Sequence, residues 1–222
     1  EILRCLVGSE MCIRDRRETM KALASPQRFH GAVEQAFSGE RRRRLWRLDR
    51  LGGVLYLLIL SEDVPDLRGI VQQFGPLTGV DVAQTRDYAP LLARVTNGST
   101  WRFRLTANPT KSCLPPDAAG KRGTVRARCT VEHQKRWLME RAQKHGFDLQ
   151  EDAFTVTSQR WLQFTKGGRE GKKVTLLSVT FEGVLQVCDA ERFRKTLAEG
   201  IGRGKAYGQG LLTVMRAGPF NE

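Results

Sequence analysis

The first half of the chain alternates between the spacing of an amphipathic helix and that of strands. Ser25 is a good helix N-cap and Pro26 a good first helical residue. Behind them, Phe29 and Val33 begin an apolar stripe at the 3.6-residue period of a helix. The apolar run from 54 to 60 predicts a buried strand. In chain order, we predict a helix ending at Gly39, strands near 43–50 and 54–61, a helix from Asp63 to Gly75, and a strand near 79–86.

The second half repeats this order. The stretch from Thr100 to Thr106 alternates polar and apolar residues, which indicates a half-buried strand. Thr130 and Asp189 are well suited to cap two helices, which would end at Gly146 and Gly200. The predicted elements are a strand at 100–106, a helix at 130–146, strands near 153–165 and 172–187, a helix at 189–200, and a strand at 210–216.

Both halves therefore have the order βαββαβ, provided that one strand precedes the first helix. We predict an α+β protein of two tandem ferredoxin-like (RRM-like) domains, at 17–92 and 100–222, joined by a linker at 93–99. Residues 1–16 (EILRCLVGSEMCIRDR) begin without Met and show neither clean alternation nor a helical face. They also lack the pattern of a signal peptide. We interpret them as a non-native segment and expect the native first strand to be lost there.

The charge of the chain indicates a polyanionic partner. The net charge is +13 and the pI about 10.1, which favours nucleic acid, although a solvated basic surface that aids solubility is the alternative. Residues 1–98 have a net charge of +3 and residues 99–222 one of +10, so most backbone contacts should lie in the second half. No apolar run approaches the roughly 18 residues that a membrane span needs, so no membrane partner is expected.

The cysteines are odd in number and form no C-x-x-C pair, which predicts free thiols in a reducing cytoplasm. They are Cys5, Cys12, Cys113, Cys129 and Cys188. Two of them, with His133 and His145, could in principle supply four zinc ligands, but the spacings match no common zinc module. We expect no metal and no cofactor.

The run from Gly202 to Gly210 (GRGKAYGQG) is the most distinctive stretch. It lies between a predicted helix and a predicted strand, the reverse of the order that a dinucleotide fingerprint needs. Closely spaced glycines let a backbone approach a phosphate chain, and Arg203 and Lys205 add positive charge. The alternative is a tight connection that uses glycine for steric reasons.

Two basic clusters accompany this loop. One surrounds the turn between the two long strands of the second half, where a protruding hairpin could enter an RNA groove or clamp its backbone. The alternative is a turn that is basic for solubility. The other, Arg41 to Arg44, lies at a strand entrance, and RNA contact and simple solvation are equally open for it. The hairpin cluster consists of Arg160, Lys166, Arg169, Lys172 and Lys173.

His30 is the candidate proton-transfer residue. It lies at the edge of the apolar stripe of the first helix, with Gln27 one turn before it and Glu34 one turn after. A single imidazole in such a place is more often an ordinary surface residue. His133 and His145 lie on a helix rich in Lys and Arg, and we interpret both as surface residues.

Several segments together resemble a known family. They are Pro26–His30 (PQRFH), Arg44–Leu48 (RLWRL), Phe103–Lys111 (FRLTANPTK), Gly120–Arg122 (GKR), Phe181–Gly183 (FEG) and Gly200–Leu212 (GIGRGKAYGQGLL). In these segments the chain resembles the CasE repeat-processing endoribonucleases of type I-E CRISPR systems. The resemblance extends over nearly all of the chain from Arg17 onward, and the glycine run and the Asn-Pro-x-Lys segment are its most specific parts.

The resemblance implies a tandem ferredoxin-like fold and a catalytic role for His30. It also implies metal-independent cleavage of a CRISPR repeat stem-loop, in which the ribose 2′-hydroxyl attacks the adjacent phosphate and leaves a 2′,3′-cyclic phosphate and a 5′-hydroxyl. The protein would then remain on the product as a subunit of a surveillance complex. The candidate RNA-binding residues are Arg28, Arg102, Arg104, Lys111, Arg160, Lys166, Arg169, Lys172, Lys173, Gly202, Arg203, Gly204 and Lys205.

One departure from the family pattern bears on activity. Family members usually have Tyr three residues before the histidine, and this chain has Gln27, which can position a group but cannot transfer a proton. Gly31 and Gln35 occupy positions that are often basic in the family. The alternative function is therefore a catalytically weak or inactive RNA-hairpin-binding subunit of the same fold.

Overall fold

The first half of the chain folds into a four-stranded antiparallel sheet with two helices. The computed structural model describes residues 7–13, 22, 25–40, 42–75, 83–113, 123–166 and 171–217. The strands pair in the order β2-β3-β1-β4, which is that of a ferredoxin-like sheet. The elements are β1 (Val7–Ile13), α1 (Pro26–Gln35), β2 (Leu45–Leu51), β3 (Val54–Ser61), α2 (Arg68–Phe74) and β4 (Ala83–Asp87).

The first strand comes from the segment that we interpreted as non-native. The backbone of β1 pairs with β3 on one side and β4 on the other, so the expectation of a lost strand is wrong. Met11 and Ile13 are buried against the helices, as is Ser9, whose hydroxyl lies 3.0 Å from that of Thr85. Because a serine occupies one of the inward positions, the alternation was not recognisable in the sequence.

The second half forms the other large sheet, in the order β11-β5-β10, with β8 and β9 both pairing with β10. Its βαββαβ order is therefore elaborated by a short helix before it and a small hairpin, β6–β7, inserted after its first strand. The elements are α3 (Ala89–Ala93), β5 (Thr100–Ala107), β6 (Thr110–Cys113), β7 (Thr124–Ala127), α4 (Val131–Ala142), β8 (Phe147–Asp148), β9 (Phe154–Lys166), β10 (Lys172–Val187), α5 (Ala190–Glu199) and β11 (Leu212–Arg216).

The helix caps of the second half lie where the sequence predicts them, whereas one helix of the first half begins later than predicted. Thr130 and Asp189 accept hydrogen bonds from the backbone amides three residues on, and Gly146 ends the first of these helical segments at a φ of 83°. By contrast, α2 begins at Arg68 rather than after Asp63. The reason is local, because the Asp66 carboxylate accepts from the Arg68 amide at 3.1 Å. Helix α1 also ends at Gln35, four residues before Gly39.

Arg47 joins the two sheets. Its side chain is 2% exposed and forms a double ion pair with Asp49, at 2.8 and 2.6 Å. Its remaining hydrogens reach the carbonyls of Arg104 and Leu211, at 2.9 and 2.8 Å, and the hydroxyl of Thr213 at 2.7 Å. All five N–H donors of the guanidinium are thus used, and β2 is held against β5 and β11. Within the described residues, no helix is long and apolar enough to cross a membrane.

Candidate active site and nucleic-acid interface

Helix α1 places His30 at the boundary between the two halves. Pro26 starts the helix, and Phe29 and Val33 bury one side of it in the first core. His30 lies beside this stripe with its side chain 15% exposed. Its ring stands edge-on to that of Tyr207, with 6.3 Å between the centroids. The histidine therefore lies at a contact with the glycine-rich loop of the second half.

A carboxylate and a buried guanidinium lie behind the imidazole. Glu34 Oε1 is 4.0 Å from His30 Nδ1, and Glu34 Oε2 is 3.0 Å from Arg44 Nη1. The Arg44 side chain is 3% exposed and covers the ring of Phe37 at 4.0 Å. At 4.0 Å from Nδ1, the Glu34 carboxylate attracts the imidazole when the ring is protonated. Sequence reasoning grouped Arg44 with its exposed neighbours and missed this arrangement.

Gln27 lies one turn before His30 and is half-buried. Its side-chain oxygen is buried and has no hydrogen-bond partner among the described residues. An amide can orient a neighbouring group by hydrogen bonding, but it cannot act as an acid or a base. The structure thus supplies no proton-transfer group at this position of α1.

Two glycines of the glycine-rich loop lie so close to tryptophans that a side chain would crowd the indole rings. A Cβ on Gly208 would lie 2.8 Å from the indole of Trp46, and one on Gly202 would lie 3.2 Å from that of Trp137. Both residues also have positive φ, of 74° and 83°. At these positions the steric explanation accounts for the glycine. The loop is therefore held between the first half and the helix side of the second.

A cleft opens between α1, this loop and strand β9. Pro26, Tyr207 and Arg160 are among the residues that line it. Tyr207 packs edge-on against Phe164, with 4.7 Å between the ring centroids. Arg160 is exposed at one edge, and partial burial lowers the pKa of its guanidinium. The cleft brings together residues from three segments that are far apart in the sequence.

The basic hairpin extends from this cleft. Lys166 and Lys172 face each other at the end of the β9–β10 ladder, and Lys173 pairs in register with Thr165. All three lysines, which we call the hairpin lysines, are exposed. Arg169, which was predicted to join them, lies outside the described residues.

Other RNA-binding candidates lie near the glycine-rich loop. Asn108 forms a β-bridge with Arg203, so the Asn-Pro-x-Lys segment and the loop are in contact. Lys111 is exposed on β6, opposite Arg126 of β7. Gly202 and Arg203 are exposed and Gly204 is half-buried, as is Lys205, and burial lowers the pKa of the Lys205 ammonium. Arg28 is exposed on α1.

Two of the predicted RNA-binding arginines, Arg102 and Arg104, lie away from the cleft that contains Tyr207. The Arg104 guanidinium lies 2.8 Å from Glu182 and 3.6 Å from Asp49, which gives it a structural role between the two sheets. Arg102 lines a separate cleft that also contains Met215. Neither arginine lines the cleft that contains Tyr207 and Arg160.

The remaining histidines and cysteines form no metal centre in the part of the chain that the structure describes. No group of three or more possible ligands occurs there, and Cys113, Cys129 and Cys188 are free thiols. His133 is exposed, as predicted. His145 is half-buried and bonds to the Thr196 hydroxyl at 3.0 Å, so it is less exposed than His133.

Fold and site together define a tandem ferredoxin-like protein with a basic hairpin and a histidine at the junction of its halves. The family model for CRISPR associated proteins matches residues 9–216, and the chain belongs to this family. The CRISPR-associated endoribonuclease Cse3 of Thermus thermophilus is 32% identical over 209 residues, which are 89% of this chain and 93% of that protein. The resemblance seen in the motifs is confirmed.

A second curated relative and a solved structure agree. The Cascade subunit CasE of Escherichia coli is 33% identical over 118 residues, or 50% of this chain and 56% of the relative. The structure of Thermus thermophilus Cse3 bound to an RNA representing a pre-cleavage complex has a TM-score of 0.74 and 28% identity, and the match covers 95% of this chain and 98% of that one. The predicted fold class is thus confirmed as well.

Proposed function

We propose that this chain is a metal-independent endoribonuclease that binds and cleaves the repeat hairpin of CRISPR precursor RNA. The observation that carries the proposal is the position of His30, which has a carboxylate 4.0 Å from its Nδ1 and stands edge-on to Tyr207, a residue that lines the cleft at the foot of the basic hairpin. The Thermus relative, which this chain matches over nearly its whole length, is named an endoribonuclease.

The reaction needs two proton transfers and positive charge near the phosphate. The ribose 2′-oxygen forms a bond to phosphorus as its proton leaves, and the bond from phosphorus to the 5′-oxygen breaks as that oxygen gains a proton. The products are a 2′,3′-cyclic phosphate and a free 5′-hydroxyl. The imidazole of His30 can serve in either transfer, because an imidazole side chain can both accept and donate a proton. Arg160 at the cleft edge supplies charge that stabilises the pentavalent intermediate.

The hairpin lysines, Lys111 and Arg203 bind the RNA backbone in this proposal. Exposed lysines at the end of a two-stranded ladder can follow a groove of an RNA stem and contact its phosphates. After cleavage the protein stays on the product hairpin as a subunit of a surveillance complex in the bacterial cytoplasm. Its Escherichia coli relative is named a Cascade subunit.

A second candidate function is an RNA-binding subunit that cleaves slowly or not at all. The observation that favours it is Gln27, whose buried amide offers no acid or base beside His30.

Incubation with synthetic type I-E repeat stem-loops in EDTA tests the proposal. We expect one cut per repeat, a cyclic phosphate on one product, a hydroxyl on the other, and no cleavage of a substrate with a 2′-deoxyribose just before the scissile phosphate. Cleavage of the deoxy substrate, or a requirement for magnesium, would contradict the mechanism. Tight binding without any cut would instead support the non-catalytic function.

A further inference from the structure

We propose that Tyr207 of the glycine-rich loop is a second catalytic group, whose hydroxyl donates a hydrogen bond to the phosphate on which His30 acts. The inference rests on the proposed endoribonuclease function. It assigns to the second half of the chain a role in the chemistry, in addition to its role in RNA binding.

The first support is the geometry around His30. The ring of Tyr207 stands at 71° to the imidazole with 6.3 Å between the centroids, so a phosphate bound beside one ring is within reach of the other. Tyr207 also lines the cleft that Arg160 borders. A phosphate held between the two rings would therefore meet an imidazole and a phenol, next to a cleft that Arg160 lines.

The second support is that the phenol is held rigidly. Tyr207 ends a short 3₁₀ turn between Gly204 and Gly208, and its amide donates to the Gly204 carbonyl at 2.8 Å. Its ring packs against Phe164, and Gly208 lies against Trp46. A donor fixed in this way stabilises developing charge without the cost of reorganising during the reaction.

The third support is the state of the hydroxyl. Within the described residues, the Tyr207 hydroxyl forms no hydrogen bond, although its ring is packed against apolar neighbours. A tyrosine whose ring is half-buried usually directs its hydroxyl to a partner, and the cleft is where that partner would bind. The side chain of Gln27, one turn before His30, is an amide and offers no acid or base at that position of α1.

In the reaction Tyr207 neither gains nor loses a proton. Its O–H donates to a non-bridging phosphate oxygen while the 2′-oxygen bonds to phosphorus and the bond to the 5′-oxygen breaks. The hydrogen bond strengthens as negative charge grows on that oxygen in the transition state. Proton transfer remains with His30.

Tyr207→Phe tests this role, because the ring that packs on Phe164 stays in place. Under single-turnover conditions on a repeat stem-loop, we expect the cleavage rate to fall by about a hundredfold, as when one preorganised donor is deleted from an oxyanion site. RNA affinity and the shape of the pH–rate profile should hardly change, because the hydroxyl transfers no proton. Tyr88→Phe, which removes a hydroxyl from a separate cavity, is the matched control and should cleave at the wild-type rate.

A second variant distinguishes catalysis from packing. Gln27→Tyr puts a phenol one helical turn before His30, and it should restore part of the rate in Tyr207→Phe but add little to the wild type. Equal rates in Tyr207→Phe and the wild type, or a parallel loss of affinity and rate, would overturn the assignment of Tyr207 alone. A wild-type protein that cleaves none of the type I-E repeats would overturn the endoribonuclease function, and the role of Tyr207 with it.

Discussion

Helices α1 and α4 occupy the same place in the two ferredoxin-like units, and each carries a histidine in its first half. His30 is mostly buried, stands next to Tyr207 and is backed by Glu34. His133 is exposed, and its ring nitrogen bonds to the capping hydroxyl of Thr130, at 3.1 Å. The same fold and the same residue type thus give one candidate for catalysis and one ordinary surface residue.

The difference lies in what faces each helix from outside its own unit. The glycine-rich loop of the second half covers one end of α1 and brings Tyr207 to His30. On α4, Gln134 donates to Gln159 of its own sheet, and Trp137 stacks on Phe181 below it. The docking of the two units therefore makes the site, and the helix sequence alone does not. The predictions that follow test this conclusion.

The largest effect is expected from His30→Ala, with His133→Ala as its counterpart on α4. Loss of His30 removes the proton-transfer group and should slow cleavage by roughly a hundredfold to ten-thousandfold, with little change in RNA affinity. His133→Ala should cleave at the wild-type rate. Single-turnover cleavage and a binding titration measure both. Full activity in His30→Ala would refute the assignment of the catalytic residue even if the 2′-hydroxyl mechanism survived.

The next effect concerns the docking itself. Arg47→Ala leaves Asp49 buried with the longer ion pair to Arg104 and removes the guanidinium donors from the carbonyls of Arg104 and Leu211, so the free energy of unfolding should fall by about 3–5 kcal/mol. Arg50→Ala is the control on the same strand, because Arg50 is exposed and bonds to the Gly53 carbonyl of the adjoining turn. It should change the stability by less than about 0.5 kcal/mol. Urea unfolding followed by tryptophan fluorescence measures both, and equal losses would show that Arg47 does not join the units.

Local features of this fold could be predicted because local sequence determines them. The caps at Thr130 and Asp189, and the two long strands of the hairpin, depend on residues close to one another in the chain. The short strands β6 and β7 have four residues each and lie beside a loop, and so gave no pattern to recognise. Strand β1 was missed because Ser9 takes an inward position.

The parts of the site that were missed depend on contacts between distant segments. Arg44 belongs to a run of four arginines, and nothing near it in sequence indicates that it is buried against Glu34. Tyr207 lies far from His30 in the chain, so their proximity follows only from how the units dock. The resemblance to the family suggested a role for His30. It could not indicate Tyr207, because this tyrosine lies outside the first helix and has no counterpart in the family's motif there.

A smaller effect is expected from the hairpin lysines, which belong to the second unit alone. Lys166→Gln with Lys172→Gln should weaken binding of a repeat stem-loop and make the slope of log affinity against log salt shallower by about two, if each lysine contacts one phosphate. Arg192→Gln with Lys195→Gln removes the same charge from α5, where both residues are ion-paired to acids. That control should leave the slope unchanged. Equal changes in the two double variants would remove the hairpin from the interface.

The smallest effect comes from the third histidine, His145, which lies just after α4. Burial, followed by the nearby charge of Lys144, lowers the pKa of His145 below its ordinary value of 6.5. The unfolded chain therefore takes up a proton at this position at a higher pH than the folded protein does. It follows that stability is fully retained above about pH 6.5 and declines as the pH falls toward the folded-state pKa.

In His145→Gln, which can still bond to the Thr196 hydroxyl, this part of the acid destabilisation should disappear. Free energies of unfolding measured from about pH 7.5 to 5 should then fall less steeply in the variant than in the wild type, since each unit of pKa difference is worth about 1.4 kcal/mol. His133→Gln is the control, because it makes the same substitution at an exposed histidine. Parallel curves for the wild type and His145→Gln would mean that His145 titrates alike in the folded and unfolded protein. The difference from the exposed His133 would then hold for His30 and not for His145.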